Sequence, residues 1–313
     1  MLITSAGLEA IFQGYSFIFN EGFNGAKSHA FDIAMKVPSE DGENIYPWLG
    51  AFPQLREWIG DRVLNSLQLH GFKIKNRKFE STVAVKREEI EDDRYGVLKP
   101  LFSEMGRATR LHPDKLVFEL LQKGTSTICY DGQNFFDTNH PVLDENDKET
   151  FVSNVYLAEV GPAPFWYLLD TTKFVKPLIF QERIPYTFQS VTDDRNERVF
   201  LRDEYVYGVR ARVNAGFGLW QLAYASNLPL NQYNYAYARN QMMKMRNDRG
   251  HVIGVEPNLL VVGPYLEASA RRLLKATSIG NIDAPTTGAT VPGVAETNIW
   301  YQSADLIVTP FLP

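Results

Sequence analysis

The chain of 313 residues is ordinary in overall composition but rich in aromatic side chains, with 44% hydrophobic and 13% aromatic residues. That length is room for two domains or one elaborate domain, and the composition excludes wholesale disorder, collagen-like sequence and extended coiled coil. The net charge of -5, from 32 basic and 37 acidic residues, argues against a module whose main task is gripping phosphates.

A single cysteine, Cys129, excludes an intrachain disulfide. No second thiol or histidine lies at zinc-site spacing around it, so Cys129 is expected to be a small buried hydrophobe. Before Lys27 the chain has no Lys or Arg, and its apolar stretch is interrupted by glycines and polar residues. This pattern predicts neither a signal peptide nor a membrane span, and a reducing cytoplasm is the expected compartment.

Residues 1–45 combine several glycines with spaced aromatics and few charges, without a sustained helical or strand period. One interpretation is an extended arm whose aromatics lie on another surface. The alternative is an N-terminal strand or helix of the chain's own core. The sequence leaves both open.

A basic segment follows. From Phe72 to Lys86, apolar residues alternate with lysines and polar residues, which is the period-two pattern of strands. The polar pair Asn76 and Arg77 predicts a turn, giving a basic hairpin. An isolated hairpin is only marginally stable in water, so this one needs support from the chain's own body or from a neighbouring subunit. Nucleic-acid binding is a third interpretation, which the net acidity disfavours.

An acidic run, from Glu88 to Asp93, precedes the strongest helical pattern. Consecutive side chains point apart, so a solvated or salt-bridging face is expected rather than a metal site. Apolar residues at three- and four-residue spacing then predict a long helix over 96–124. Pro113 lacks the donor that a helix interior needs, which predicts a kink or a restart in two pieces, with Asp114 beside a positive helix end. Gly124 is the expected C-cap.

The second half of the chain predicts strands and two further helices. Residues 125–227 are typical of loops and strands of a mixed or antiparallel sheet. A new unit begins at Asn231 with a helix, followed by a buried strand over Leu259–Val262 and a helix that opens at Gly263. The stretch from 298 to 310 is the expected final strand.

The sequence contains no Walker A motif, no G-x-S-x-G elbow and no H-E-x-x-H pair, and its five histidines are widely scattered. Asp137 with His140 is the best acid-base pair, although turn chemistry is the neutral explanation, with Asp137 accepting local backbone hydrogen bonds. We therefore predict no enzyme, no cofactor and no metal. A hydrolase that uses Asp137 and His140 remains an alternative.

Six collinear blocks extend over nearly the whole chain and carry a more specific signal than any single motif. They are YPWLGAFPQLREWIGDR (46–62), HGFKIKNRKFE (70–80), VKREEIEDDRYG (85–96), HPDKLVFELL (112–121), CYDGQNFFDTNHPV (129–142) and VYGVRARVNAGFGLWQLAY (206–224). Together they resemble the major head subunit of Mu-like bacteriophages and prophages.

The resemblance implies the α+β fold of Hong Kong 97-type capsid proteins. Its parts, carried onto this sequence, are an N-terminal arm over 1–45, an E-loop hairpin with the entry to the peripheral domain over 46–95, a peripheral domain over 96–230 with the spine helix 96–124, an axial domain over 231–291, and a C-terminal strand over 292–313 that returns to the peripheral domain. The E-loop itself is expected within 56–82.

The implied function is that of a major capsid protein of a tailed bacteriophage. Many copies would form pentamers and hexamers that close into an icosahedral shell around packaged double-stranded DNA, in the cytoplasm of a bacterial host and without a membrane. Scaffold, protease and portal proteins are the expected partners during assembly. An encapsulin-type compartment of the same fold, which encloses protein cargo, is the alternative.

Contacts between subunits are expected in the E-loop region. A basic hairpin that cannot stand alone would lie on the adjacent subunit, with the acidic run as its partner surface. Each exposed ion pair contributes at most about 1 kcal/mol, so repetition over many subunits is what makes such pairs matter. Aromatic residues of the arm and of 46–58 are further interface candidates. The residues predicted at these contacts are Trp48, Trp58, Arg62, Lys73, Lys75, Arg77, Lys78, Glu88, Glu89, Glu91, Asp92 and Asp93.

Overall fold

The computed structural model describes residues 4–47, 49, 72–92, 94–144, 148–159, 163–193, 195–247, 250–280 and 295–313. The α-helices in these ranges are α1 (Ser5–Gly25), α2 (Ala30–Ile33), α3 (Arg87–Glu91), α4 (Lys99–Gln122), α5 (Glu197–Arg202), α6 (Gln232–Met243) and α7 (Glu267–Lys275). Short 3-10 turns lie at Arg94–Leu98, Lys123–Thr125, Trp220–Leu222 and Pro264–Leu266. Among the described residues, no helix combines the length and apolar character that crossing a membrane requires.

The strands are short except for three that exceed nine residues. They are β1 (Ala34–Pro38), β2 (Glu43–Ile45), β3 (Lys73–Lys75), β4 (Arg77–Lys86), β5 (His140–Leu143), β6 (Glu149–Val152), β7 (Val155–Tyr156), β8 (Trp166–Leu169), β9 (Leu178–Val191), β10 (Glu204–Phe217), β11 (Ala223–Ser226), β12 (Leu259–Val262), β13 (Ser278–Gly280), β14 (Ala295–Thr297) and β15 (Asp305–Val308).

Two sheets organise the chain. The first has the strand order β1-β9-β10-β4, in which β1 is parallel to β9 and the other neighbours are antiparallel. The second has the order β15-β12-β8-β11-β7, with parallel pairs at both edges and antiparallel pairs inside. Shorter pairs join β2 with β3, β5 with β6 and β13 with β14. The mixed helix and sheet content agrees with the α+β class that the resemblance implies.

One face of the first sheet lies under α1 and α4. Strand β10 alternates between buried and less buried residues, and its buried side carries Tyr205 and Tyr207. The Tyr207 ring packs edge-on against Tyr15 of α1 and Phe102 of α4, with centroid distances of 5.2 and 5.5 Å. Since aromatic rings bring large contact area, this cluster supplies much of the attachment between helices and sheet.

Helix α1 crosses α4 at very short distance. A Cβ atom added to Gly22 would collide with the backbone oxygen of Ser103, and one added to Gly106 would collide with that of Phe19. The side chain of Thr4 caps α1 by accepting from Gly7 N at 3.1 Å. Of the two interpretations of the N-terminal segment, the extended arm is therefore wrong for residues 5–25, which form a helix of the chain's own core.

The predicted restart of the long helix at Pro113 does not occur. Helix α4 runs without interruption from Lys99 to Gln122, and Pro113 is buried inside it. Asp114 is buried, and its carboxylate accepts hydrogen bonds from Ser28 Oγ at 2.5 Å and Ala30 N at 2.8 Å, where α2 begins. The tertiary contacts of this turn outweigh the loss of the backbone hydrogen bond that proline cannot donate. Asp114 caps α2, and it does not begin a second piece of its own helix.

The predicted hairpin with a turn at Asn76 and Arg77 does not form. Strand β3 pairs with β2 and strand β4 pairs with β10, while β3 and β4 do not pair with each other. Asn76 lies between them and is buried, with Nδ2 donating to Ser39 Oγ at 2.9 Å and Oδ1 accepting from Gln181 Nε2 at 2.8 Å. Asn76, whose polarity suggested a turn, is instead a buried hydrogen-bonding residue between the β2–β3 and β4–β10 pairings.

The second sheet carries the main core. All four residues of β12 are buried, as predicted. Helix α6 begins after Asn231, whose side chain caps it, and buries Tyr235, Ala238 and Met242. The sheet takes β8 and β11 from before the expected boundary at 230 and β12 from after it. The last strand, β15, pairs with β12 rather than within the predicted peripheral segment. The boundaries of the domains themselves stay predictions.

Candidate assembly interface

Strands β2 and β3 form the base of the segment predicted to contain the E-loop. Glu43 pairs with Lys75 and Ile45 with Lys73, and Tyr46 N donates to Phe72 O at 3.0 Å. Because this pairing is antiparallel, Tyr46 and Phe72, which flank segment 47–71, lie side by side. Trp48, Trp58 and Arg62, which were predicted to contact neighbouring subunits, lie outside the described residues.

A buried hydrogen-bond network holds this base on the first sheet. The Tyr46 hydroxyl, in a side chain that is 2% exposed, donates to Gln181 Oε1 at 2.8 Å. Gln181 Nε2 in turn donates to the Ile74 carbonyl at 3.1 Å. Burial raises the pKa of Tyr46 to about 12, so the phenol stays protonated and remains a donor at neutral pH. These hydrogen bonds therefore fix the β2–β3 base to β9.

Four of the basic residues that were predicted to contact neighbouring subunits lie on β3 and at the start of β4. Lys73, Lys75, Arg77 and Lys78 are all exposed. Lys73 Nζ pairs with Glu43 Oε1 at 3.0 Å across the β2–β3 base, and the Arg77 guanidinium lies 5.1 Å from the Phe79 ring centroid. We call Lys73, Lys75, Arg77 and Lys78 the basic end of β4.

The predicted acidic residues lie on α3 and just after it. Glu88, Glu91 and Asp92 are exposed, Glu89 is half-buried, and Asp93 lies outside the described residues. The buried side chain of Ile90 fixes α3 to the core, and Arg87 pairs with Glu91 at 3.7 Å and with Asp203 at 3.4 Å. We call Glu88, Glu89, Glu91 and Asp92 the acidic end of β4.

These two charged groups do not meet within one subunit. Strand β4 separates them, and a strand rises about 3.3 Å per residue, so the stretch from Arg77 to Lys86 is about 30 Å long. That distance is well beyond the reach of an ion pair and beyond the Debye length at physiological salt. The two groups therefore cannot pair with each other within one subunit.

Two of the six aromatic residues in 1–45 lie in the core of the subunit. Tyr15 and Phe19 are buried in contacts with α4 and the first sheet. Phe12, Phe23 and Phe31 are half-buried against the core, and Phe17 is 71% exposed. A role of the remaining aromatics in contacts between subunits stays a prediction.

The acid-base pair that the sequence suggested does not form. Asp137 Oδ1 accepts from Asn139 N at 3.0 Å, which is the predicted turn chemistry. His140 is fully buried, and its Nδ1 lies 2.6 Å from Asp131 Oδ2 instead. Burial opposes ionisation of Asp131, but the hydrogen bond and charge of His140 outweigh it and hold the pKa of Asp131 below its usual range. The hydrolase hypothesis therefore loses the geometry on which it depended.

Comparison with solved structures identifies the class of protein. A chain of the bacteriophage JBD30 procapsid is 42% identical, with a TM-score of 0.83, and the match covers 99% of this chain and 100% of that one. A chain of the bacteriophage JBD30 capsid is 30% identical, with a TM-score of 0.77 and complete coverage of both chains. The fold is that of a Hong Kong 97-type phage capsid protein.

Sequence comparison then gives the family. The family model described as "Mu-like prophage major head subunit gpT" matches residues 8–312. The Mu-like prophage FluMu major head subunit of Haemophilus influenzae (strain ATCC 51907 / DSM 11121 / KW20 / Rd) is 41% identical over 278 residues, which are 87% of this chain and 90% of that protein. The major capsid protein of Escherichia phage Mu is 38% identical over 277 residues, 88% and 91% of the two chains. The chain belongs to the Mu-like major head subunit family, whose members are structural capsid proteins, and the resemblance found in the sequence is confirmed.

Proposed function

We propose that many copies of this chain form pentamers and hexamers that close into an icosahedral shell around double-stranded DNA. The observation that carries this proposal is the likeness, over nearly the whole chain, to procapsid and capsid subunits of one phage. The net charge of -5 supports weak binding of the enclosed DNA, through contacts that are local and independent of DNA sequence.

The contact between subunits in this proposal joins the basic end of β4 in one copy to the acidic end in the next. Opposite charges at two ends of one strand favour a head-to-tail contact, and head-to-tail contacts close into rings when the rotation between copies allows it. Segment 47–71 connects β2 to β3 in the sequence, and in this proposal it would lie on the same neighbour. Repetition around a ring multiplies pairs that are individually weak.

In the same proposal, assembly takes place in the cytoplasm of a bacterial host with scaffold, protease and portal proteins as partners. Membership of a family of structural capsid proteins supports the absence of a catalytic role. The particles that result are virion components.

Electron microscopy of the purified protein, followed by analysis of what the particles enclose, tests the proposal. We expect closed shells of uniform diameter with pentamers and hexamers in their lattice, and double-stranded DNA inside particles taken from lysed host cells. Shells that enclose a protein cargo and no DNA would support an encapsulin-type compartment instead. Small oligomers under all conditions would contradict both.

A further inference from the structure

Three potential metal ligands converge in a buried loop that the assembly contacts do not use. Cys129 Sγ lies 3.1 Å from Asp131 Oδ1, and Asp131 Oδ2 lies 2.6 Å from His140 Nδ1. One ligand atom from each of the three residues lies within 4.8 Å of the others. Cys129 is 3% exposed and His140 is fully buried. Sequence spacing gave no sign of this group, because β5 brings His140 back to the loop that carries Cys129.

The loop that carries the first two ligands is fixed by its own hydrogen bonds. Cys129 N donates to Gln133 O at 2.8 Å, and Gln133 N donates to Asp131 Oδ1 at 3.0 Å. Gly132 occupies the tight reversal with a φ of +87°, a conformation that strongly favours glycine. The sulfur and carboxylate are therefore held in place before any ligand arrives.

A second layer of hydrogen bonds sets the orientation of the imidazole. Asn154 Nδ2 donates to the carbonyls of Phe135 at 2.8 Å and Trp220 at 3.3 Å, and Asn154 Oδ1 accepts from Asp137 N at 2.9 Å. These bonds direct Oδ1 toward His140 Nε2, 3.2 Å away, so Nε2 carries a hydrogen and Nδ1 is the nitrogen that faces the cysteine and aspartate. Histidines that bind metals are oriented in this way, with the other ring nitrogen donating to a carbonyl oxygen.

The charge of the group is compatible with a divalent cation. A thiolate at Sγ, the Asp131 carboxylate and a neutral imidazole carry two negative charges, which one divalent cation balances. The proton of the Sγ thiol leaves to solvent when the cation binds, so the occupied site buries no net charge.

We propose that Cys129, Asp131 and His140 bind one thiophilic divalent cation of the zinc class, through Sγ, a carboxylate oxygen and Nδ1. Sulfur, nitrogen and oxygen together are the ligands that zinc takes in tetrahedral sites. The Asn134 carbonyl, 4.0 Å from Sγ, or a water molecule supplies the fourth position. The cation would join the 129–134 loop to β5 beside the Trp220 ring, which stacks on His140 at 3.9 Å.

Cobalt(II) is the probe that tests this site, because a thiolate bound to cobalt gives a charge-transfer band in the near ultraviolet. The chain has one cysteine, so such a band can come from Cys129 and from no other residue. We expect the full chain, refolded in the presence of Co²⁺ so that the buried site is reached, to show the band with saturation at one ion per subunit. Added Zn²⁺ should abolish it, and protein purified from zinc-containing medium should hold about one zinc per subunit.

Variants separate the site from adventitious binding. Cys129→Ser should lose the charge-transfer band, and His140→Gln should weaken cobalt binding at least tenfold. His251→Gln, which replaces an exposed histidine, should bind as the parent chain does. Absence of the band from refolded parent protein whose circular dichroism is native would overturn the proposal and leave a hydrogen-bonded proton network. This test uses the parent chain, so its result holds even where a variant fails to fold. The result is also independent of whether shells form.

Discussion

The imidazole of His112 joins α4 to the first sheet. Its Nδ1 lies 2.6 Å from the hydroxyl of Tyr186 on β9, and its ring packs edge-on against Phe79 of β4 at a centroid distance of 4.3 Å. Burial lowers the pKa of His112 below its usual 6.5, and the charges of Lys115 and Arg77 act in the same direction. The neutral ring is therefore the form that the folded chain prefers.

This preference predicts a loss of stability in acid. Because the folded pKa lies below the unfolded one, the unfolded chain binds more protons between the two values. The stabilisation is present above pH 6.5 and is lost as the pH falls through the lowered pKa of His112. In urea unfolding of purified subunits at pH 7 and pH 5, we expect His112→Gln to lose less stability on acidification than the parent chain. An equal loss in both proteins would show that His112 does not contribute.

Single residues also show which side-chain contacts could be predicted from the sequence. The turn role of Asp137 was predictable because its donor, Asn139, is two positions away. Asn76 was misinterpreted because its partners Ser39 and Gln181 are 37 and 105 positions away, and no local pattern reports them. The convergence of Cys129 with His140 was hidden for the same reason. Buried polar networks are therefore the part of this molecule that spacing could not predict.

At the scale of elements, the crossing of α1 and α4 depends on two glycines. Gly22 and Gly106 leave no room for a methyl group between the helix backbones, whereas nothing lies within 4 Å of a Cβ added to Gly14 in the same helix α1. The same glycine-to-alanine substitution should therefore destabilise the subunit at Gly22 or Gly106 and stabilise it at Gly14. Gly22 and Gly106 permit the close backbone approach. In the sequence alone, the glycines of residues 1–45 suggested an irregular arm.

Alanine substitution tests this crossing directly. Gly106→Ala should destabilise the subunit by about 1 to 3 kcal/mol, because the added carbon forces the helices apart. Gly14→Ala should stabilise it by about 0.5 to 1 kcal/mol, since alanine is the better helix former and meets no neighbour. Urea unfolding of the two variants beside the parent chain measures both. Equal effects of the two substitutions would contradict the close crossing.

Elements with a complete local pattern were predictable, and those with distant partners were not. The spacing of apolar residues predicted α4, and the unbroken apolar run of β12 predicted a buried strand. The pairing of β4 was wrong because its partner β10 lies more than a hundred residues away, with Lys86 opposite Glu204. The family resemblance gave the correct fold because it draws on the whole chain at once.

At the scale of the whole molecule, exposed basic side chains lie on β3 and at the start of β4, and acidic side chains follow β4 on α3 and just after it. At the basic end, Lys75 and Lys78 form no ion pair among the described contacts. At the acidic end, Glu88 and Glu89 likewise form no ion pair among those contacts. About 30 Å of strand separates them, so the two ends cannot pair with each other within one subunit. Contacts between copies that use these ends should weaken as salt rises.

Charge reversal at one end, followed by reversal at the other, tests this assembly contact. Lys73→Glu with Lys75→Glu should strongly reduce the yield of closed shells. The subunit should stay folded with only a small fall in its unfolding midpoint, because both side chains are exposed and the Lys73–Glu43 ion pair that is lost is a surface pair. Adding Glu88→Lys and Glu89→Lys should restore part of that yield, since the pair then attracts with its signs exchanged. Lys123→Glu with Lys148→Glu makes the same change in net charge at other exposed positions and should have a smaller effect. Shells counted by electron microscopy and sedimentation give the measurement, and an undiminished yield from the first variant would contradict a contact through the basic end.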